Sequence, residues 1–286
     1  MPAAEIFRSG YLSEVIGIRL ADDREVVVKV RPPSPRVAAC VEVQRHLFAS
    51  GYPCPQPLAG AAPLGDDVAT AEAYVGGGAL LPSAGRAAWA FAESFARLLL
   101  LAPRPGEVPA LDPSPSWAAW NHAGPGLWPC PEGRDIDLSA VPGPAWIDDV
   151  GRRARDRLRA GPSDTVIGHC DWLAGNLRWN GDTLLVVHDW DSATADSEAV
   201  LVGLAAALYS TARADELATV EETERFLAAF CQARGRELSA DELERSWAAG
   251  CWTRAYDAKY QHAAGQPLRS LTEKQARERL RRAGAG

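Results

Sequence analysis

The chain has 286 residues and a mass of 30.6 kDa, enough for one large or two small domains at roughly 100 to 200 residues each. Hydrophobic residues at 47% and charged residues at 23% exclude a disordered or fibrous chain. A net charge of −7 and a pI near 5.3 exclude a chain-wide grip on nucleic acid, which needs a basic footprint, and leave room for a cationic partner. The six cysteines stand singly, without C-x-x-C pairs or zinc-site spacing, and read as reduced, buried, small hydrophobes. No basic start leads into an apolar core, and no stretch approaches the roughly 20 apolar residues that span a bilayer. The expected compartment is the cytoplasm, with neither membrane nor nucleic acid as partner.

In chain order, Ile6 to Arg8, Glu14 to Leu20 and Glu25 to Arg31 read as antiparallel strands, with Ala21-Asp22-Asp23-Arg24 turning between the last two. Ser34 or Pro35 opens a helix through Ala49, which Ser50-Gly51 ends. Pro53, Pro55 and Pro57 impose an extended run, and Thr70 to Val75 reads as another strand. Gly76-Gly77-Gly78 is the best hinge in the sequence and places a boundary between a small part, residues 1–75, and a large one, 76–286. Beyond it, Ala84 to Leu101 has helical composition, and 103–146 is rich in Pro, Gly and Trp, a long irregular segment of the kind usually functional or packed as a large loop. Trp146 to Arg159 resumes a helix. Thr165 to Gly168 and Thr183 to His188 are short apolar strands, and Asn180-Gly181 is a type I′ hairpin signature. Helices are expected over Ser197 to Thr211, Glu216 to Ala233, Asp241 to Ala263 and Thr272 to Arg282, with capping boxes at Ser239/Glu242 and Ser270/Glu273 for the last two.

The chemistry concentrates in Val166-Ile167-Gly168-His169-Cys170-Asp171-Trp172-Leu173-Ala174-Gly175-Asn176 and the later Asp189-Trp190-Asp191. Phosphoryl transfer needs a carboxylate to accept or orient the hydroxyl proton, and hard oxygen ligands for Mg²⁺ that neutralise the phosphates. Asp171 fits the catalytic base, and Asn176 with Asp189 the metal ligands; Zn²⁺ would want more His or Cys than this segment offers. His169 reads as a brace for the loop. Each residue alone is more often structural, whereas H-x-D-x-x-x-x-N with a downstream D-x-D is specific as a set.

The stretch from His169 to Asp191 resembles the signature of the aminoglycoside phosphotransferase family, small-molecule kinases similar in fold to protein kinases, with Cys170 where those relatives usually have glycine and with Trp172 after the aspartate. The resemblance implies an α+β, two-lobed, protein-kinase-like fold, with a β-rich nucleotide lobe over 1–75 and a helical catalytic lobe over 76–286. It implies ATP or GTP with Mg²⁺ as cofactors and a small cationic, hydroxyl-bearing acceptor. Aminoglycosides come first, tuberactinomycin-type basic peptide antibiotics next, in a monomer or homodimer that confers resistance. A metabolic kinase for an amino sugar, choline or homoserine is the alternative with the same chemistry. A catalytically dead nucleotide sensor is disfavoured because Lys29, Asp171, Asn176 and Asp189 are all present, and a protein kinase because D-F-G and A-P-E are missing.

Within this resemblance Lys29, the sole lysine of the first 258 residues, becomes the strand lysine that binds the α and β phosphates, and Glu42 on the following helix its expected partner. Gly10 and Ser13 belong to the phosphate-covering loop, although one glycine is not G-x-G-x-x-G, and no G-x-x-x-x-G-K-[ST] occurs. Glu72 to Val75 form the inter-lobe linker, with backbone at Ala73 and Val75 for adenine. Acceptor residues are expected among Asp191, Asp196 and Glu198, walled by Trp172 or by the Trp117 to Trp128 segment. Segment charges of −7 over 60–150 and −6 over 196–257 favour a cationic acceptor there.

Overall fold

The computed structural model describes residues 4–10, 12–81, 87–161, 164–209 and 217–286. The first lobe is one antiparallel sheet with a helix. Strands β1 (Ala4–Gly10), β2 (Glu14–Arg19), β3 (Glu25–Arg31), β4 (Pro57–Leu64) and β5 (Asp67–Ala73) lie in the order β1-β2-β3-β5-β4, and α1 (Arg36–Ala49) connects β3 to β4. The central position of β3 explains its valine run, since Val26 and Val27 are buried between two neighbouring strands. The proline-marked run expected only to be extended is an edge strand. Pro57, Pro63 and two register shifts suit an edge, where missing donors and irregular pairing discourage further strand addition.

Past β5 the glycines deliver the chain directly onto the second lobe. Gly78 has φ of +71°, and a Cβ there would lie 2.9 Å from both Arg178 and Leu185, so only glycine lets the linker pass. Ala79 then exchanges backbone hydrogen bonds of 2.8 and 2.9 Å with Trp179. The second lobe holds α2 (Ala87–Leu101), α3 (Ala145–Arg159), β6 (Val166–His169), β7 (Leu177–Asn180), β8 (Thr183–Val187), β9 (Ala193–Asp196), α4 (Glu198–Leu208), α5 (Val220–Arg234), α6 (Ala240–Ala263) and α7 (Glu273–Arg282). The Asn180-Gly181 hairpin forms as expected between β7 and β8, whereas the pairing of β6 with β9 has no local signal.

The Ser239/Glu242 capping box starts α6, but α7 is capped by Thr272 with Gln275 rather than by Ser270 with Glu273. Ser270 is unavailable because its hydroxyl accepts from Gln261 Nε2 at 2.7 Å. A further box, Thr219 with Glu222, starts α5. The expected helix ends at Ala84, Thr211 and Glu216 lie outside the described residues. No helix of the described residues is long and apolar enough to cross a membrane.

Candidate active site

The chain around Asp171 alternates between core and cleft. Strand β6 delivers His169 and Cys170 into full burial, and Trp172 is equally buried, its indole N–H donating to the Phe91 carbonyl at 3.2 Å and its ring 5.0 Å from Phe95. With both neighbours of Asp171 buried, its carboxylate faces the cleft. Cys170 has no need of glycine: its φ is not positive, and its thiol donates to the Ser192 carbonyl at 3.2 Å. His169 braces the loop, accepting from the Asp171 amide at Nδ1 (3.2 Å) and lying 3.1 Å through Nε2 from the His188 carbonyl. Burial lowers its pKa, keeping it a neutral bracket rather than a proton donor.

Asn176 closes a short helical turn and returns its side chain to Asp171, its amide N–H₂ donating to the Asp171 carbonyl at 2.9 Å and to Oδ2 at 2.7 Å. The Asn176 side-chain oxygen has no hydrogen-bond partner among the described residues. Asp189, just after β8, adopts left-handed backbone with φ 61° and ψ 50°, an uncommon conformation for a residue with a side chain and one concentrated at functional sites. Burial pushes Asp171 up to about 7, with Asp189 adding repulsion. Burial likewise raises Asp189, with Asp191 adding to it and Lys29 opposing. Two carboxylates raised by burial and like charge, plus an unused amide oxygen, form a hard-oxygen donor set short of positive charge. The fit to Mg²⁺ is good, since Mg²⁺ takes one or two protein carboxylates and fills its shell with water and phosphate oxygens. No group of three His, Cys, Asp or Glu suited to a metal occurs among the described residues.

Lys29 of β3 lines the same cleft. Burial alone would lower its pKa, but Asp191, Glu72 and Asp189 raise it well above the ordinary value, so it stays charged. The ion-pair partner is Glu72 of β5, at 3.5 Å, and not Glu42. Helix phase decides this. Arg36, Cys40 and Gln44 recur every four residues and form the inward stripe, whereas Glu42 sits about 200° round from Cys40, where it is exposed and pairs with Arg45.

The cleft between these walls has a volume of about 1490 Å³. Gly10 and Ser13 line its roof, and a Cβ at Gly10 would strike the Ser13 carbonyl at 2.1 Å, which fixes glycine in that loop. Val75 lines the linker side; Ala73 does not, because its amide donates to Gln56 O at 2.8 Å toward β4. Asp191 lines the cleft but is ion-paired with Arg31. Burial would raise its pKa, yet Lys29 and Arg31 hold it below the usual range.

Three expected acceptor residues lie elsewhere. Asp196 accepts from Trp120 Nε1 at 2.7 Å and from the Ser197 amide at 2.7 Å, and Glu198 binds Arg234 and Arg236 at 3.1 and 3.0 Å. Both carboxylates serve the lobe's own packing. Trp172 is a core anchor rather than a wall: Trp172→Ala is expected to lose about 3 to 5 kcal/mol of stability, measured by denaturant unfolding. In the irregular segment, Trp120 and Trp128 are fixed inside the lobe, while Trp117 lines the cleft and donates to the Cys170 carbonyl at 3.1 Å. Asp257 of α6, unmarked in the sequence, also lines the cleft.

The family model for the phosphotransferase enzyme family matches residues 3–248. The chain belongs to that family. Its fold is also that of an amicoumacin kinase solved with AMP-PNP and Ca²⁺ (TM-score 0.65, 12% identity, 98% of this chain and 86% of that one). A thermostable mutant of an aminoglycoside phosphotransferase, in ternary complex with ADP and hygromycin B, is similar as well (TM-score 0.62, 12% identity, 99% and 94% covered). So is an ethanolamine kinase of Plasmodium vivax (TM-score 0.60, 13% identity, 99% and 82% covered). No curated protein sequence matches the chain. At these identities the solved relatives establish the kinase-like fold of this phosphotransferase, and Asp171, Asn176 and Asp189 line its cleft.

Proposed function

We propose that the protein transfers the γ-phosphoryl group of a nucleoside triphosphate, ATP or GTP, to a hydroxyl of a small cationic molecule, with residues 1–75 as the nucleotide lobe and 76–286 as the catalytic lobe. The observation that carries this reading is that Asp171, Asn176, Asp189 and Lys29 line one cleft, with Asn176 hydrogen-bonded to Asp171 and Asp189 near enough to act on both Asp171 and Lys29. Lys29 holds the phosphates, and Asp171 takes the hydroxyl proton as the acceptor oxygen bonds to the γ phosphorus and the diphosphate leaves. Asn176 and Asp189 would hold Mg²⁺, which when bound neutralises charge on the phosphates. The linker backbone at Val75 suits the base.

Asp257 supports the cationic acceptor. Burial, followed by repulsion from Asp171, pushes it up to about 7, and it forms no ion pair or hydrogen bond with the described residues. Arg254, the cation nearest in effect, is consumed by the carbonyls of Ala207, Ala218 and Ser270. A partnerless carboxylate in a cleft wall favours an incoming ammonium. Asp257→Asn is expected to raise KM for a cationic acceptor about tenfold or more with KM for ATP unchanged. Antibiotic inactivation is the leading role, as the amicoumacin kinase and the aminoglycoside phosphotransferase in complex with hygromycin B suggest, and phosphorylation of a metabolic amino alcohol is the second reading. A panel of aminoglycosides, tuberactinomycins, amino sugars, choline and ethanolamine, read by nucleotide turnover and product mass, tests it. Failure of every cationic acceptor alongside turnover of a neutral alcohol would remove the cationic class.

A further inference from the structure

Resting on the phosphoryl-transfer reading, we infer that Glu72 of β5 is the positioning residue that aims Lys29 at the phosphates, so that the sheet rather than helix α1 sets the lysine. Strand register provides the geometry. Lys29 is directly opposite Thr70 and Val27 opposite Glu72, which puts Glu72 diagonally beside Lys29 on the same face of the sheet. Both side chains are nine-tenths buried, and the Glu72 carboxylate divides its oxygens, Oε1 lying 3.5 Å from Lys29 Nζ and Oε2 accepting from Gln44 Nε2 at 2.8 Å. Gln44 is itself fixed by donating to the Pro55 carbonyl at 2.9 Å.

The inward stripe of α1 is therefore committed to other work. Arg36 donates to the Ala193 carbonyl and Cys40 to the Asp191 carbonyl at 3.7 Å, both in the second lobe. The third position of the stripe, Gln44, holds a neutral amide that steadies Glu72. A second carboxylate at that position would sit buried against the first, a costly arrangement with one lysine to share. Helix α1 thus ties the lobes together through Arg36 and Cys40 and steadies Glu72 through Gln44, while the carboxylate that meets Lys29 comes from the strand.

The test compares Glu72→Gln, Glu42→Gln and Lys29→Met in steady-state assays with ATP and the best acceptor of the panel, with thermal unfolding alongside. Glu72→Gln can retain the hydrogen bond from Gln44 through its amide oxygen, while an uncharged N–H₂ replaces the oxygen that faces Lys29. Its kcat/KM for ATP is expected to fall 10- to 100-fold with acceptor KM and thermal midpoint near the parent, while Glu42→Gln stays within twofold. Parental kcat/KM for ATP in Glu72→Gln, together with its loss in Lys29→Met, would overturn the inference. Parental activity in Lys29→Met would sink the phosphoryl-transfer reading of Lys29 instead.

The second readout needs no turnover. The chain has three lysines, Lys29, Lys259 and Lys274, so a ¹⁵Nζ-lysine spectrum holds three side-chain signals, and Lys29→Met assigns the first. That signal is expected to move in Glu72→Gln and to stay put in Glu42→Gln; the reverse pattern rejects Glu72. If Glu72→Gln does not fold, Glu72→Asp, which withdraws the charge by one methylene, is read in the same spectrum. A displaced Lys29 signal supports the inference, and an unmoved one rejects it.

Discussion

Asp171→Asn is expected to lower kcat by about two to four orders of magnitude, the usual contribution of a positioned general base, with affinity for AMP-PNP unchanged. The substitution conserves shape. An asparagine at 171 still offers an oxygen to Asn176 Nδ2, which now binds Asp171 Oδ2 at 2.7 Å, and the flanking anchors Cys170 and Trp172 are untouched. What disappears is a proton acceptor whose pKa burial and Asp189 have pushed up to about 7, near the operating range where general bases work best. Steady-state kinetics measure the first quantity and calorimetric titration of AMP-PNP the second. Turnover within tenfold of the parent would remove Asp171 from the chemistry.

Asp189→Asn is expected to cost about 100- to 1,000-fold in kcat, the range typical of deleting one preorganised electrostatic stabiliser, and to raise the divalent-ion concentration at half-maximal activity. Asparagine is among the few residues that tolerate left-handed backbone, so the turn at φ 61° survives and the effect isolates the carboxylate. Removing this charge also relieves Asp171, whose carboxyl it repels. A drop in activity is therefore expected without a drop in thermal midpoint. An unchanged Mg²⁺ dependence in this variant would remove Asp189 from the metal site.

Both residues are legible in the amino-acid sequence, for a physical reason. Asp171 and Asn176 are joined by a short turn, and one hairpin and a strand end bring Asp189 to them. Local chain geometry suffices, so the motif carries the arrangement in its spacing. The sequence misleads where partners are remote. Trp172, Asp196 and Glu198 stand beside the motif and look available, yet Phe91, Trp120, Arg234 and Arg236 consume them from other elements. Asp257 is hidden for the opposite reason, since nothing in a long, mixed helix marks one carboxylate as facing a cleft.

The antiparallel start, the hairpin at Asn180-Gly181 and the grouping of Asp171 with Asn176 follow from the amino-acid sequence, because each rests on short-range backbone preference, and Lys29 stands out there as the only lysine of the first 258 residues. Which carboxylate holds that lysine depends on the assembled fold. Glu42 is nearer in sequence but turned away by helix phase, whereas Glu72 arrives through the β3–β5 register, a pairing across the whole of α1 and β4 that no local pattern encodes.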